Sequence, residues 1–331
     1  MSRFSGLLRG REFSLALILV VAIGITGTIN PRFLTGDGTR DLLTATAIVA
    51  LLTIGMTPIV IMRHIDLSVA STVGLTAWLL ADYSAKNPGT NALTMFILGP
   101  LIGLGAGLLN GVLVAGLRLP ALVVTIGTLY IIRGIAYVVS NSVDYNAQEM
   151  PQDLLELQFK TYFGLIPFTF MLVIIGVILV GWYMKYTKAG RDCYAIGSNP
   201  PAADLAGINV FRRTFVAFLF SGFMAGLGGV FYIIRFAQVD STAFYGQELG
   251  IVAAVVIGGV AIFGGAGTPV GAAIGALLVQ TIQGALAALG VAPFWKQAIN
   301  GTLLIIAIYV DRVIARRSEK SLLAQRIRER A

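Results

Sequence analysis

Ionisable and hydrogen-bonding side chains set inside long apolar runs are the residues of this sequence best placed to do chemistry. Asp66, Arg133, Arg235 and Glu248 lie in or at the edge of such runs, and Asn110, Thr125, Thr128 and Gln283 lie deeper. A charge in hydrocarbon is costly, so each is a functional hypothesis with a partner to be found. Each also has a plainer reading. Arg235 and Glu248 suit snorkelling at an interface, and Asp66 suits an N-cap where a helix breaks. Asn110 and Thr125 suit hydrogen bonds between helices. Too few carboxylates sit mid-run for a proton relay. The single cysteine, Cys193, excludes a disulfide framework and a thiolate cluster, and the single histidine, His64, leaves no His-based zinc site. No metal, cofactor or catalytic pair is therefore expected, and the chain does not read as an enzyme.

One glycine-rich segment looks at first like a phosphate loop: Gly258-Gly259, then Gly264-Gly265, Gly267 and Gly271. No Gly-Lys dipeptide occurs anywhere, which excludes a Walker A loop. A sharp turn between two tightly packed helices is the better reading.

The elements that hold these residues must be membrane spans. Of 331 residues, 56% are hydrophobic and 12% charged, against about 25% charged in an ordinary soluble domain. Mean hydropathy is +0.83. Apolar runs fall near 13–29, 42–62, 67–82, 93–116, 120–140, 164–184, 213–235, 248–264, 269–290 and 295–311. Each approaches the roughly 20 residues that a crossing helix needs. The pattern predicts an all-α polytopic membrane protein of about ten transmembrane helices. Only Arg63–Asp66 separates the second run from the third, so the two form either a tight hairpin or one helix broken in the membrane. The first run ends in Asn30-Pro31 with no small-x-small cleavage site and reads as an uncleaved helix.

Lys and Arg set the orientation. With ten spans, one side collects Arg3, Arg9, Arg11, Arg63, Arg118, Lys185, Lys188, Arg191, Arg212, Arg213 and the tail from Arg312 to Arg330. The other side gets Arg32, Arg40, Lys86, Lys160 and Lys296, and an acidic loop, 141–163. This places both termini in the cytoplasm. The net charge of +8 thus reflects topology rather than a nucleic-acid partner. Small residues recur at helical spacing, as Gly103, Gly107, Gly111 and Ala115, as Gly222 and Gly226, and as Gly271 and Gly275. They suit close helix packing in lipid. No linker divides the chain, which reads as a single domain over 1–331 with a cytoplasmic segment at 186–212 and a basic tail at 312–331.

Within 186–212 the sequence predicts a short helix. Asn199 suits its N-cap, Pro200 its first position, Asp204 its positive end and Gly207 a left-handed stop. Such a helix could tie two spans together or dock into a partner.

Taken together, these segments resemble the permease subunits of sugar-type ABC importers, in the ribose, xylose, rhamnose and autoinducer-2 branch. The resemblance rests on Ile65-Asp66-Leu67-Ser68-Val69, on Asn110-Gly111, and on Leu119-Pro120 with Thr125-Ile-Gly127 and Arg133-Gly134. It rests also on Gly190-Arg191 with Ala195-Ile-Gly-Ser-Asn199-Pro and Ala206-Gly207-Ile208, and on Gly258-Gly259 to Gly267. The motifs stand in family order over nearly the whole chain. Arg63-His64 replaces a frequent Gly-Gly, and Ala70 replaces a usual Gly. The Arg63 departure and Pro293-Phe294-Trp295 look more like rhamnose and autoinducer-2 members than ribose members.

The resemblance implies a bacterial inner-membrane subunit that moves a sugar-like solute by alternating access, with no ATPase of its own. Implied partners are a cytoplasmic ATP-binding subunit pair, a second permease, identical or related, and a periplasmic solute-binding protein. Asn199, Pro200, Pro201, Ala203, Asp204, Leu205 and Gly207 would couple to the ATPase. Asp66, Ser68, Asn110, Thr125 and Arg133 would line the path. The rival is an ion-coupled secondary transporter, for which Asp66 is the only candidate carboxylate.

Overall fold

In the computed structural model the described residues are 11–292, 295, 297–309 and 312. Arg3 and Arg9, Pro293-Phe294, Lys296 and the basic tail beyond Arg312 lie outside them. The chain is mostly helical. Its elements are α1 (Arg11–Ile29), a 3-10 turn (Pro31–Leu34), α2 (Gly36–Ile61), α3 (Val69–Lys86) and α4 (Ala92–Gly111), which widens into a π-turn over Val112–Gly116. Then come α5 (Ala121–Ser140), α6 (Gln152–Glu156), α7 (Phe168–Tyr186), α8 (Lys188–Ser198) and α9 (Pro200–Leu205). The chain continues with α10 (Val210–Phe236), α11 (Glu248–Ile257), α12 (Pro269–Ala288) and α13 (Gln297–Tyr309). Between α6 and α7, β1 (Thr161–Tyr162) pairs antiparallel with β2 (Ile166–Pro167), Thr161 opposite Pro167.

Six of these helices are long and apolar enough to cross a membrane, among the described residues: α2, α4 with its π-turn, α5, α7, α10 and α12. The chain is a multi-pass membrane protein. Its core is built on α10, which packs against α2, α3 and α4. α2 is buried almost throughout from Ala47 to Met62. α5 and α7 instead present apolar residues outward, with Val138 at 80% exposure and Ile178 at 63%. In lipid such faces meet an apolar solvent, so close packing must come from small residues. The stripes act that way. Added Cβ atoms on Gly103 and Gly107 would collide with the backbone of α10 at Gly222 and Phe218, and one on Gly226 would collide with Gly99. Gly271 and Gly275 likewise admit Gly258 and Ala254.

Residues 62–68 reverse the chain. Arg63 reaches Gly197 and Ser198, at the end of the molecule that carries α8 and α9. α3 runs back to the opposite end, where the Trp78 indole N–H donates to the Val143 carbonyl at 3.0 Å. α2 and α3 are thus the arms of a splayed hairpin, with α10 against both.

The apolar run at 248–264 departs from its expectation. Only Glu248–Ile257 is helical, about 15 Å at 1.5 Å per residue. That is half of the roughly 30 Å hydrocarbon core. The run stays apolar through Phe263, but Gly259 at φ +91° ends the helix, and Gly264, Gly265 and Gly267 also adopt positive φ. The segment is the sharp turn expected, placed between two helices held close through Gly258 and Gly271.

A buried polar node and a capped surface helix

Four of the five residues expected along the path meet at the helix reversal. Asp66 Oδ1 accepts from the Ser68 amide at 3.0 Å and from the Ser68 hydroxyl at 2.6 Å. The first of these closes an Asx turn that fixes the approach to α3. Asp66 Oδ2 accepts from Ser221 of α10 at 3.0 Å. Asn110 of α4 donates to the Ser68 hydroxyl at 2.8 Å and accepts from Thr128 of α5 at 2.8 Å. Thr125, a turn earlier on α5, donates to the Ile65 carbonyl at 3.1 Å. Four segments, residues 65–68, α4, α5 and α10, thus meet in one network, and the side chains of Asp66, Ser68, Asn110, Thr125, Thr128 and Ser221 are all buried. Both Asp66 oxygens have hydroxyl donors, so the carboxylate is held without a cation. The reading of Asp66 as an N-cap is corrected: Ser68 holds the cap position, and Asp66 braces it from two residues upstream.

Arg133, the fifth residue, lies two turns further along α5 and does not join the node. It is 4% exposed. Nη1 donates to the Ala243 carbonyl at 2.9 Å, and Nη2 stands 3.8 Å from the Glu248 carboxylate. The guanidinium lies 5.4 Å from the centre of the Tyr245 ring. Nε and Nη2 make no hydrogen bond. Arg133 thus ties α5 to the 240–248 loop while keeping donors free.

At the other end, α9 forms as the sequence predicts. Asn199 caps it, its side chain accepting from the Ala202 amide at 3.2 Å. Pro200 takes the first position, where no N–H is required. Gly207, at φ +75°, closes it with amides returned from Gly207 to Asp204 and from Ile208 to Ala203. Ala203 is buried against the body, while Pro201, Asp204 and Gly207 are exposed and Leu205 is 90% exposed. Leu205 is thus a large apolar side chain held outward on a short turn that is capped at both ends.

α8 was not anticipated as a helix of its own. Thr187 caps it through the Gly190 amide at 3.0 Å, and its Asp192 takes two hydrogen bonds from Arg213 of α10, at 2.9 and 2.7 Å. Burial beside this pair pushes the Cys193 thiol up to about 11, which leaves it unreactive at neutral pH. Between α9 and the reversal lies a cavity of about 1100 Å³, lined in part by Arg63, His64, Arg118, Asp204, Asn209 and Thr214.

Sequence reasoning missed Ser221, although a lone hydroxyl beside the Gly222–Gly226 stripe was a usable signal. It named Thr128 without giving it a role. It gave Arg63 none.

The residues 38–308 match the family model described as the permease component of the branched-chain amino acid transport system. The autoinducer 2 import system permease protein LsrC of Enterobacter sp. (strain 638) is 32% identical over 92% of this chain and 88% of that protein. The ribose import permease protein RbsC of Escherichia coli (strain K12) is 32% identical over 89% of this chain and 92% of that protein. The L-arabinose ABC transporter permease protein AraH of Azospirillum brasilense is 29% identical over 90% of this chain and 86% of that protein. No solved structure gives a significant match. Rhamnose, half of the favoured solute pair, has no specific support in these relatives.

Proposed function

The chain belongs to the family of branched-chain amino acid transport system permease components, among the permeases of sugar ABC importers, and from that membership we propose that it is the membrane subunit of an inner-membrane importer for a small hydroxylated solute of the autoinducer-2, ribose or arabinose kind. Such a subunit is a transport component rather than an enzyme, and ATP hydrolysis belongs to separate partner chains. The observation that carries the reading is α9, which offers Leu205 outward from a helix capped at both ends.

In this reading the chain is one domain. The six long helices cross the membrane together with α1, α3, α13 and the α11 turn, which makes ten spans and leaves both termini in the cytoplasm. α8 and α9 then lie inside the cell and the 141–167 hairpin outside, as the Lys and Arg distribution favours. Asn199, Pro200, Pro201, Ala203, Asp204, Leu205 and Gly207 form the unit that docks on the ATP-binding subunits. A periplasmic binding protein delivers solute to the other end, and a second permease copy or relative completes the path.

Asp66, Ser68, Asn110 and Thr125 are closed on one another here. They meet solute only in a state where α5 has parted from residues 65–68, when solute hydroxyls replace the hydrogen bonds of the node. Arg133, whose Nε and Nη2 make no hydrogen bond within the chain, can bind without that exchange. Ion coupling has no support: Asp66 is fully engaged by neutral donors.

The test is co-purification. Co-expressed with its candidate ATP-binding subunit, the wild-type chain is expected to retain it on affinity purification, and Leu205→Asp to release it while staying folded. Retention by Leu205→Asp at the wild-type level would contradict the docking assignment.

A further inference from the structure

Among the described residues four helices end in the same motif, in which the residue after the cap is left-handed and two amides return to the last turn. Three have glycine there: Gly207 after α9, Gly259 after α11 and Gly290 after α12. The fourth, after α2, has Arg63 at φ +68°. Its returned bonds are complete, from Arg63 to Val60 at 2.9 Å and from His64 to Ile59 at 3.0 Å. A side chain at such a position is strained, and glycine would relieve it.

The Arg63 side chain accounts for the exception. Its Nε donates to the Gly197 carbonyl at 2.5 Å and its Nη2 to the Ser198 carbonyl at 2.7 Å. These are the last carbonyls of α8, the negative end of its dipole, directly ahead of the Asn199 cap of α9. The glycine-rich turn closes the same junction. The Gly265 amide donates to the Ile61 carbonyl at 2.9 Å, and Tyr194 of α8 donates to the Gly267 carbonyl at 2.9 Å. Cβ atoms at Gly197 or Gly264 would overlap Ile61 or Arg63. Three residues beyond Arg63 stands Asp66, the hub of the node.

We infer that Arg63 is the positioning residue that couples docking to the path: it locks the end of α2 to the start of α9, so that α9 cannot move without carrying residues 63–66. The inference rests on the transport reading above. A guanidinium spans two adjacent carbonyls through one planar fork, whereas an ammonium reaches them as a single point. The junction is fixed on its other faces by backbone contacts, so Arg63 links two units that are each already folded.

The experiment compares wild type, Arg63→Gly and Arg63→Lys, each reconstituted with the ATP-binding subunit and binding protein in proteoliposomes. Uptake of labelled autoinducer 2, ribose and arabinose, each supplied separately, is read together with ATP hydrolysis and thermal unfolding. Arg63→Gly, which removes the clasp and the backbone strain at once, is expected to assemble, to unfold at or above the wild-type temperature and to hydrolyse ATP within about twofold of wild type. Its uptake per ATP is expected to fall at least tenfold, with Arg63→Lys between the two. Wild-type uptake per ATP in Arg63→Gly would overturn the inference and leave the transport reading standing. Loss of uptake with a lowered unfolding temperature or a dissociated complex would also overturn it, because the residue would then only hold the fold. Absence of ATP-dependent uptake in wild type would remove the transport reading and the inference with it.

Discussion

Two polar clusters sit along α5, two turns apart, and they are built in opposite ways. At Thr125 and Thr128 the helix joins a network in which the Asp66, Ser68 and Asn110 side chains have partners inside the chain. At Arg133 the helix carries a guanidinium with one hydrogen bond, from Nη1, and a looser approach of Nη2 to Glu248 at 3.8 Å. Buried polar groups that are fully satisfied rigidify a core, whereas incompletely satisfied ones mark places poised to change partners. In this closed arrangement the node is therefore the more tightly held of the two clusters, and Arg133 the less fully bonded.

Mutations sharpen this contrast. Asp66→Ala is expected to cost most, about 3 kcal/mol, because it leaves two serine hydroxyls and an amide without their shared acceptor. Asn110→Ala follows at about 2 kcal/mol, stranding Ser68 and Thr128. Ser221→Ala removes one of the donors to Asp66 and is expected to cost about 1 kcal/mol. All three can be read by reversible unfolding in mixed detergent. Arg133→Met should lie at the bottom of the series, at about 1 kcal/mol, because the guanidinium makes one hydrogen bond within the chain and its 3.8 Å approach to Glu248 is too long to be a second. Its uptake should nevertheless fall about tenfold. An Arg133→Met cost as large as that of Asp66→Ala would erase the distinction between the clusters.

The parts of the molecule legible in sequence are those fixed by local rules. The cap at Asn199, the proline at the first turn and the glycine stop at Gly207 all act within a few residues, and α9 formed as they dictate. The glycine stripes gave close packing for the same reason, although which stripe met which was a tertiary matter: Gly103 and Gly107 face Gly222 and not Gly271. α11 was read too long because hydropathy continues through Val260 and Ile262 after Gly259 has already ended the helix. α8 escaped notice because it lies flat on the surface of the fold, with only Cys193 and Ile196 as buried apolar side chains, and has no long apolar run. Asp66, Ser68, Asn110 and Thr125 were recognisable as polar residues in apolar surroundings. Their closure into one node was not, since it joins residues up to 155 positions apart in sequence. Arg63 was visible as one of the basic residues that set the orientation and as a departure from a motif; its clasp on Gly197 and Ser198 needed the fold.

The central claim, that this chain moves a hydroxylated solute under the drive of a separate ATPase, is tested most directly by uptake. Proteoliposomes holding the chain, its candidate ATP-binding subunit and binding protein would be supplied with labelled autoinducer 2, ribose and arabinose in separate runs. ATP-dependent accumulation of one solute, abolished when the ATP-binding subunit is omitted, is the expected result. Accumulation that persists without that subunit and collapses with an uncoupler would contradict it.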